Sequence, residues 1–178
     1  LKYLGEGRSI PPGLIGALSV NPPVDLRVAS HIISTHRSSW LFNRYYMRLI
    51  GNQVRALKKK FPNSIDPDLS TIWNFDASYT APAGGYKNLD DYYDQCSSKH
   101  YLKNIETITA ILCSKDDPFV PPEVFTNVLM NSQVSIYQPQ GGGHMGYISR
   151  HRTPHGDRRW MDFVLLEWVR EMSERRIS

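Results

Sequence analysis

The sequence is poor in cysteine and has no long uninterrupted apolar segment. Its 178 residues include only two cysteines, Cys96 and Cys113, which are too few for the disulfide framework of a small secreted domain. Because Cys113 ends an apolar run, we expect it to be a small buried side chain. No apolar stretch approaches the roughly 20 residues of a membrane-spanning helix, and no secretory signal is present. We therefore expect a cytoplasmic protein, and the sequence leaves association with a membrane surface open.

The composition is that of a globular chain. Hydrophobic residues make up 40% and aromatic residues 11% of the sequence, and a chain of this length can enclose a sizeable core. The net charge is only +4, and several basic clusters fall near predicted helix C-termini, where cations offset the helix dipole. The charge therefore predicts no nucleic-acid partner.

Three apolar segments have the length and composition of β-strands. Residues 14–20 form a continuous apolar run bounded by prolines, which is typical of a strand buried on both faces. Residues 105–113 and 134–137 are the second and third predicted strands. A helix over 121–130 separates these two strands, and a helix over 158–173 follows the third. Alternation of strands and helices predicts an α/β fold with a parallel sheet and right-handed crossovers.

The segment 24–103 is too long for a simple crossover and is rich in helix signals. Ser38 and Ser39 are good N-caps, and the apolar residues that follow them recur at steps of three and four, which predicts an amphipathic helix ending before Pro62. Residues 75–86, rich in glycine, proline and aromatics, predict an ordered loop. We expect 24–103 to be a mostly helical cap or lid insertion, and 104–178 to contain the remaining strands and helices.

Two polar residues follow the second and third predicted strands. Asp117 comes four residues after Cys113, and His144 comes seven residues after Tyr137, directly behind three glycines. The carboxyl ends of parallel strands meet at one edge of the sheet, so we expect the two side chains to lie close together. A carboxylate there can fix the tautomer of the imidazole, which can then take a proton from a hydroxyl and return it.

Other roles for these residues remain open at this stage. Asp-Asp-Pro is a common turn sequence, and a histidine in a glycine-rich loop can be simply exposed. His144, His151 and His155 could form a metal site, but their spacing lacks a regular register and no carboxylate or thiolate motif accompanies them. We therefore predict neither a metal nor a cofactor.

Several short motifs, spread nearly from end to end, resemble a known family. They are Leu1-Lys2-Tyr3-Leu4-Gly5-Glu6, Asn74-Phe75-Asp76 with Gly85-Tyr86, Asp91-Tyr92-Tyr93-Asp94-Gln95-Cys96-Ser97, Lys115-Asp116-Asp117-Pro118-Phe119 and Gly142-Gly143-His144-Met145-Gly146-Tyr147. Together they are similar to the C-terminal half of the YheT-like and ABHD1/ABHD3-type branch of the α/β-hydrolase superfamily, which includes the plant EMB8-like proteins. The resemblance implies the C-terminal part of an α/β-hydrolase fold with a helical cap insertion.

The resemblance also implies a function and a set of site residues. Asp117, rather than Asp116, would be the acid of a catalytic triad, and His144 the base. The reaction would be hydrolysis of carboxylic esters, including lipid esters. The nucleophilic serine of a Gly-x-Ser-x-Gly elbow is absent from the sequence; Ser9 lacks the second glycine and a preceding strand. We expect the serine in a missing N-terminal half, a few residues upstream of Leu1, and the chain alone to be inactive.

The predicted cap contributes four aromatic residues that could line an apolar acyl pocket, namely Trp73, Phe75, Tyr79 and Tyr86. The alternative for each ring is packing inside the cap. A second hypothesis for the whole chain is an inactive, truncated hydrolase fragment, or a binding protein. The expected partner is otherwise a small-molecule ester or lipid substrate.

Overall fold

The computed structural model describes residues 1–175, which divide into two compact units. The sheet-bearing unit comprises Leu1–Val24 and the chain from Ser98 onwards, and the helical unit comprises Asp25–Ser97. The main elements in chain order are α1 (Lys2–Gly5), β1 (Ala17–Val20), α2 (Leu26–Thr35), α3 (Trp40–Lys60), α4 (Ile72–Phe75), α5 (Ala81–Ala83), α6 (Leu89–Cys96), β2 (Thr109–Leu112), β3 (Val134–Tyr137) and α7 (Trp160–Arg175).

The sheet-bearing unit is built on three parallel strands in the order β1-β2-β3. Ala17 pairs with Thr109, and Thr109 pairs with Val134, so the strands start and end in step. The central strand β2 is buried at every position, whereas β3 alternates between half-buried and exposed residues. This arrangement confirms the predicted α/β class, and the carboxyl ends of all three strands lie at one edge.

Several predicted boundaries in this unit were wrong. Strands β1 and β2 contain only four residues each, and the first parts of the two apolar runs, 14–16 and 105–108, lie outside them. Strand β1 is half-buried throughout rather than buried on both faces. The helix predicted over 121–130 is a single 3₁₀ turn, Pro122–Phe125. It stops there because Thr126 is extended and Asn127 has a left-handed backbone. Cys113 is fully buried, as expected.

The helical unit begins with α2, which the sequence analysis did not identify. Asp25 caps this helix by accepting a hydrogen bond from the Val28 amide at 3.2 Å. Asn88 caps α6 in the same way through the Asp91 amide at 2.9 Å. The segment 75–86, predicted as a loop, is mostly helical, because a π-helical turn (Asp76–Thr80) joins α4 to α5. The role of this unit as a cap stays a prediction.

Helix α3 was predicted correctly in position but not in orientation. It runs from Trp40 to Lys60 after Ser39, whose side chain makes no capping hydrogen bond. Its buried residues are Asn43, Met47, Gly51 and Val54. Apart from Val54, the apolar side chains whose spacing predicted an amphipathic helix are exposed or half-buried. Among residues 1–175, no helix combines the length and hydrophobicity needed to cross a membrane.

Candidate active site

The carboxyl ends of the three strands bring together one polar residue from each. Asn21 directly follows β1, Asp117 follows β2 by five residues, and His144 follows β3 by seven residues. The sequence predicted that Asp117 and His144 would be neighbours, and the structure brings them into hydrogen-bond contact: His144 Nδ1 lies 2.9 Å from Asp117 Oδ2. Their role in catalysis stays a prediction.

Asp117 is buried and surrounded by hydrogen-bond donors. Its Oδ1 accepts from the amides of Phe119 at 2.8 Å and Val120 at 3.0 Å. Its Oδ2 accepts from the amide group of Asn21 as well as from His144. Burial by itself would raise the pKa of Asp117, but the donated hydrogen bonds outweigh it and the pKa is lowered from 3.8. The carboxylate is therefore ionised at neutral pH and accepts through both oxygens.

His144 is held at one ring nitrogen and open at the other. Its side chain is 30% exposed, whereas that of Asp117 is completely buried. The ring packs edge-on against Phe119, with centroids 5.0 Å apart. No group among residues 1–175 hydrogen-bonds to Nε2. Because an ionised carboxylate can only accept, Nδ1 carries the proton, and Nε2 is the free basic nitrogen that can accept another.

Asn21 and Tyr147 form a second layer of the site that sequence reasoning missed. Tyr147 donates a hydrogen bond through its hydroxyl to Asn21 Oδ1 at 2.7 Å, and accepts one from the Ser114 amide at 2.9 Å. Both side chains are buried, and Asn21 has a φ of 45°. Asparagine tolerates this left-handed conformation better than most residues. The available signal was an asparagine directly after a predicted strand.

The glycine-rich loop is anchored to the turn that contains Asp117. Asp116 Oδ1 accepts from the Gly143 amide at 2.8 Å, and this hydrogen bond lowers the pKa of Asp116. Ser114 Oγ donates to the Gly143 carbonyl at 2.8 Å. A Cβ atom on Gly142 would come within 2.4 Å of the buried Tyr147 ring. The loop thus has glycine at 142 because the Tyr147 ring leaves no room for a side chain.

The four aromatic residues proposed to bind substrate all lie in the helical unit and are half-buried. Trp73 packs against His31 and Tyr93, with ring centroids 5.9 and 5.4 Å apart. Phe75 stacks on Tyr79, and the Tyr86 hydroxyl contacts Cys96 Sγ at 2.9 Å. Each ring therefore has packing partners within the unit. A role in binding substrate stays a prediction.

A metal site and a cysteine nucleophile find little support in the described residues. Within the described part of the chain, no three His, Cys, Asp or Glu side chains are grouped closely enough to hold a metal ion. Burial raises the pKa of the Cys113 thiol to about 12, so it is protonated at neutral pH and not a nucleophile. Ser9 is exposed on the segment between α1 and β1, where its carbonyl accepts from the Tyr3 hydroxyl.

Comparison with known proteins gives a consistent group of relatives. The chain is 28% identical over 184 residues to "Phospholipase ABHD3" of Mus musculus, covering 98% of the chain and 43% of that protein. It is 28% identical over 171 residues to YheT of Escherichia coli, covering 92% and 49%. It is also 28% identical to "Monoacylglycerol lipase" of Saccharomyces cerevisiae, covering 89% and 36%. The chain thus spans less than half the length of each of these relatives.

No family model matches the chain, and no solved structure matches it. The relatives nevertheless match almost the whole chain, and the parallel sheet with flanking helices agrees with them. The resemblance stated from the sequence is confirmed: this chain is a relative of YheT and ABHD3 and carries the C-terminal part of an α/β-hydrolase fold.

Proposed function

We propose that this chain supplies the acid and the base of a serine hydrolase that cleaves carboxylic esters, lipid esters among them. The observation that carries the proposal is the pair formed by Asp117 and His144. A buried, ionised carboxylate holds Nδ1 at 2.9 Å and leaves Nε2 open. This is the arrangement that a general base needs in order to accept a proton from a nucleophilic hydroxyl. The names of the relatives, phospholipase and monoacylglycerol lipase, favour ester and lipid substrates.

In the proposed reaction, a serine hydroxyl attacks the acyl carbon while His144 Nε2 takes its proton. Asp117 stabilises the imidazolium that results, without itself becoming protonated. The imidazolium then gives the proton to the departing alcohol. A water molecule, deprotonated by the same nitrogen, attacks the acyl carbon. The bond between this carbon and the serine oxygen breaks, the serine takes the proton back from the imidazolium, and the acid is released.

The nucleophile is proposed to lie outside these 178 residues, because they contain no Gly-x-Ser-x-Gly sequence. Strand β1 is hydrogen-bonded on one side only among the residues described, which leaves an edge where further strands of a larger sheet could pair. The 178 residues by themselves are accordingly proposed to be inactive.

The first experiment is to label the native protein in extracts of its source with a fluorophosphonate probe and measure its intact mass. A product much heavier than the 20.4 kDa of this chain, carrying one probe adduct, is the expected result. A product of 20.4 kDa without an adduct would instead support the second hypothesis, an inactive fragment or a binding protein.

The second experiment tests the residues in the probe-reactive protein. We expect His144→Ala and Asp117→Asn to lower kcat/KM for a p-nitrophenyl ester by about ten-thousandfold each. The matched control is His151→Ala, which removes an exposed histidine seven residues further along the same region and should leave kcat/KM unchanged. Equal activity of His144→Ala and the control would refute the assignment of the base.

A further inference from the structure

The positive charge of the chain is concentrated in one part of the helical unit. Residues 26–65 contain eight lysines and arginines and no aspartate or glutamate, although the whole chain has 21 basic and 17 acidic residues. The rest of the chain therefore contains 13 basic residues and all 17 acidic residues. The excess of positive charge arises mainly because aspartate and glutamate are absent from this segment. Residues 26–65 thus form a strongly basic segment in a chain that is otherwise acidic.

Helix α3 occupies the centre of this basic segment and turns large apolar side chains outward. We call this surface the α3 face; its residues are Leu41, Phe42, Tyr45, Tyr46 and Leu49. Leu41 is 67% exposed and Tyr45 is 59% exposed. Positions 41, 45 and 49 follow one another at steps of four and so lie on one side of the helix. The opposite side is the buried one, at Asn43, Met47, Gly51 and Val54.

Cations border the α3 face on one flank and at its C-terminal end. Arg44, Arg48 and Arg55 are spaced by four and seven residues and form one row along the helix. Lys58, Lys59 and Lys60 close the last turn. An outward apolar strip beside a row of arginines and lysines is typical of helices that lie in the plane of a membrane surface.

A cavity of about 840 Å³ lies at the N-terminal end of α3, on the flank that carries Arg44 and Arg48, and Asn43 and Met47 of the buried side also line it. Arg37, Arg44 and Arg48 line it together with Trp40 and the hydroxyl-bearing residues Ser34, Thr35, Ser70 and Thr71. Within residues 1–175, none of these three arginines takes part in an ion pair. Guanidinium groups and hydroxyls are the donors that bind phosphate oxygens. The cavity is therefore suited to a phosphate-bearing headgroup.

We propose that the α3 face binds the surface of an anionic phospholipid bilayer, with the apolar side chains among the upper acyl carbons and a lipid phosphate in the arginine-lined cavity. A bilayer presents apolar and anionic groups at one boundary, which matches the combination found on α3. A nucleic acid offers no apolar layer for Leu41 and Leu49. A second copy of the same face would bring the row of Arg44, Arg48 and Arg55 close to an identical row of cations. The proposal is independent of the proposed hydrolysis, because it requires neither Asp117 nor His144.

The test measures co-sedimentation of the full 178-residue chain with vesicles. Vesicles of pure phosphatidylcholine are compared with vesicles of equal parts phosphatidylcholine and phosphatidylserine. We expect binding to the anionic vesicles, little binding to the neutral ones, and a steep loss as salt is raised. The His144→Ala variant should bind as tightly as the original chain, which separates this proposal from the hydrolase assignment.

Two sets of variants assign the binding to the α3 face and the cavity. Replacing Arg37, Arg44 and Arg48 together by glutamine should weaken binding to anionic vesicles by about a hundredfold. The charge control replaces Lys103, Arg150 and Arg158 by glutamine, since all three are exposed in the sheet-bearing unit.

Leu41→Ser with Leu49→Ser should weaken binding by about tenfold. Its control is Leu129→Ser with Ile148→Ser, at residues that are 72% and 71% exposed.

A spectroscopic measurement at Trp40, which lines the cavity, uses the original chain and so guards against variants that fail to fold. Trp40 is 56% exposed and lies under the guanidinium of Arg44 at 5.4 Å. Brominated lipid in the anionic vesicles should quench the fluorescence of the chain, and Trp40→Phe should remove most of this quenching. Three results would each overturn the proposal. They are an absence of quenching, vesicle binding that neither set of α3 variants changes, and conversion of a dimer to a monomer by the double serine variant. The last outcome would identify the face as a protein interface.

Discussion

The sheet-bearing unit and the helical unit each enclose a carboxylate, and the two carboxylates have pKa values displaced in opposite directions. Asp117 is buried and its pKa is lowered from 3.8. Asp76 is only half-buried, yet burial raises its pKa against the hydrogen bonds from Thr80 and Tyr93. Asp117 receives hydrogen bonds from two backbone amides and two side chains. The donors aimed at a carboxylate, more than its burial, therefore decide the direction in which its pKa is displaced.

The largest effect on stability is expected from removing Asp117, the carboxylate that receives more hydrogen bonds. Asp117→Ala leaves the Phe119 and Val120 amides and the Asn21 amide group without their acceptor, so it should lower the free energy of unfolding by about 3 kcal/mol at neutral pH. Urea denaturation followed by circular dichroism measures the change.

The same variant has a defined pH dependence. Because folding lowers the pKa of Asp117 from 3.8, its contribution to stability is present above that value and is lost as the pH falls through the folded-state pKa. The difference between the original chain and Asp117→Ala should therefore shrink as the pH is lowered to about 3. A difference that is the same at both pH values would contradict the proposed ionisation.

Loop packing next to His144 gives the second prediction. Gly142→Ala places a Cβ 2.4 Å from the Tyr147 ring and 3.0 Å from Ser114 Cβ, so we expect a loss of about 2 kcal/mol in the free energy of unfolding. Gly141→Ala is the matched control, because its Cβ would meet only Asp116 at an ordinary 3.6 Å. If thermal denaturation shows equal effects for the two variants, the packing of Tyr147 against the loop is not what excludes a side chain at 142.

Tyr147→Phe tests the layer behind the acid and the base. It leaves the buried Ser114 amide and Asn21 Oδ1 without the hydroxyl that pairs with both, and should cost about 1.5 kcal/mol. Tyr3→Phe is the control, since Tyr3 is 43% exposed and its hydroxyl makes one long hydrogen bond of 3.3 Å. Chemical denaturation of both variants should show a change below about 0.5 kcal/mol for the control.

The smallest effect on the free energy of unfolding, with the opposite sign, is expected from Asp76→Asn in the helical unit. Folding raises the pKa of Asp76, so its contribution to stability is complete below 3.8 and is lost as the pH rises through the folded-state pKa. Asp76→Asn keeps an oxygen that accepts from Tyr93 without the buried charge. It should raise the free energy of unfolding at neutral pH, by less than about 1 kcal/mol. If Asp76→Asn instead lowers the free energy of unfolding equally at neutral and acidic pH, the buried charge of Asp76 does not destabilise the fold.

The sequence allowed part of the site to be predicted because two of its members follow predicted strands. Asp117 and His144 stand out as polar residues after apolar runs, and parallel strands place such residues at one edge. Asn21 has the same position after β1, but next to Pro22 and Pro23 it indicates only the end of a strand. Tyr147 could not be assigned, because its hydroxyl pairs with residues 126 and 33 positions away.

Helix α3 shows the limit of periodicity as a guide to burial. The spacing of its apolar residues correctly predicted a helix, but Asn43 and Gly51 are buried while Leu41 and Tyr45 are exposed. Asn43 is buried because its side chain accepts from the Ile72 amide and donates to the Ser70 carbonyl, 29 and 27 residues away. Gly51 is buried because Leu69 packs against it. These partners lie far along the chain, so the sequence pattern of the helix alone does not predict the contacts.

The sequence by itself determined the α/β class, the order of the three strands, the pairing of Asp117 with His144 and the concentration of cations in residues 26–65. Each of these depends on residue type and on spacing along the chain. Only the tertiary structure decided that β1 and β2 are short, that Asn21 and Tyr147 support the acid, and that the apolar side of α3 faces outward. These features depend on contacts between residues distant in sequence, and burial and hydrogen bonding are set by such contacts rather than by local pattern.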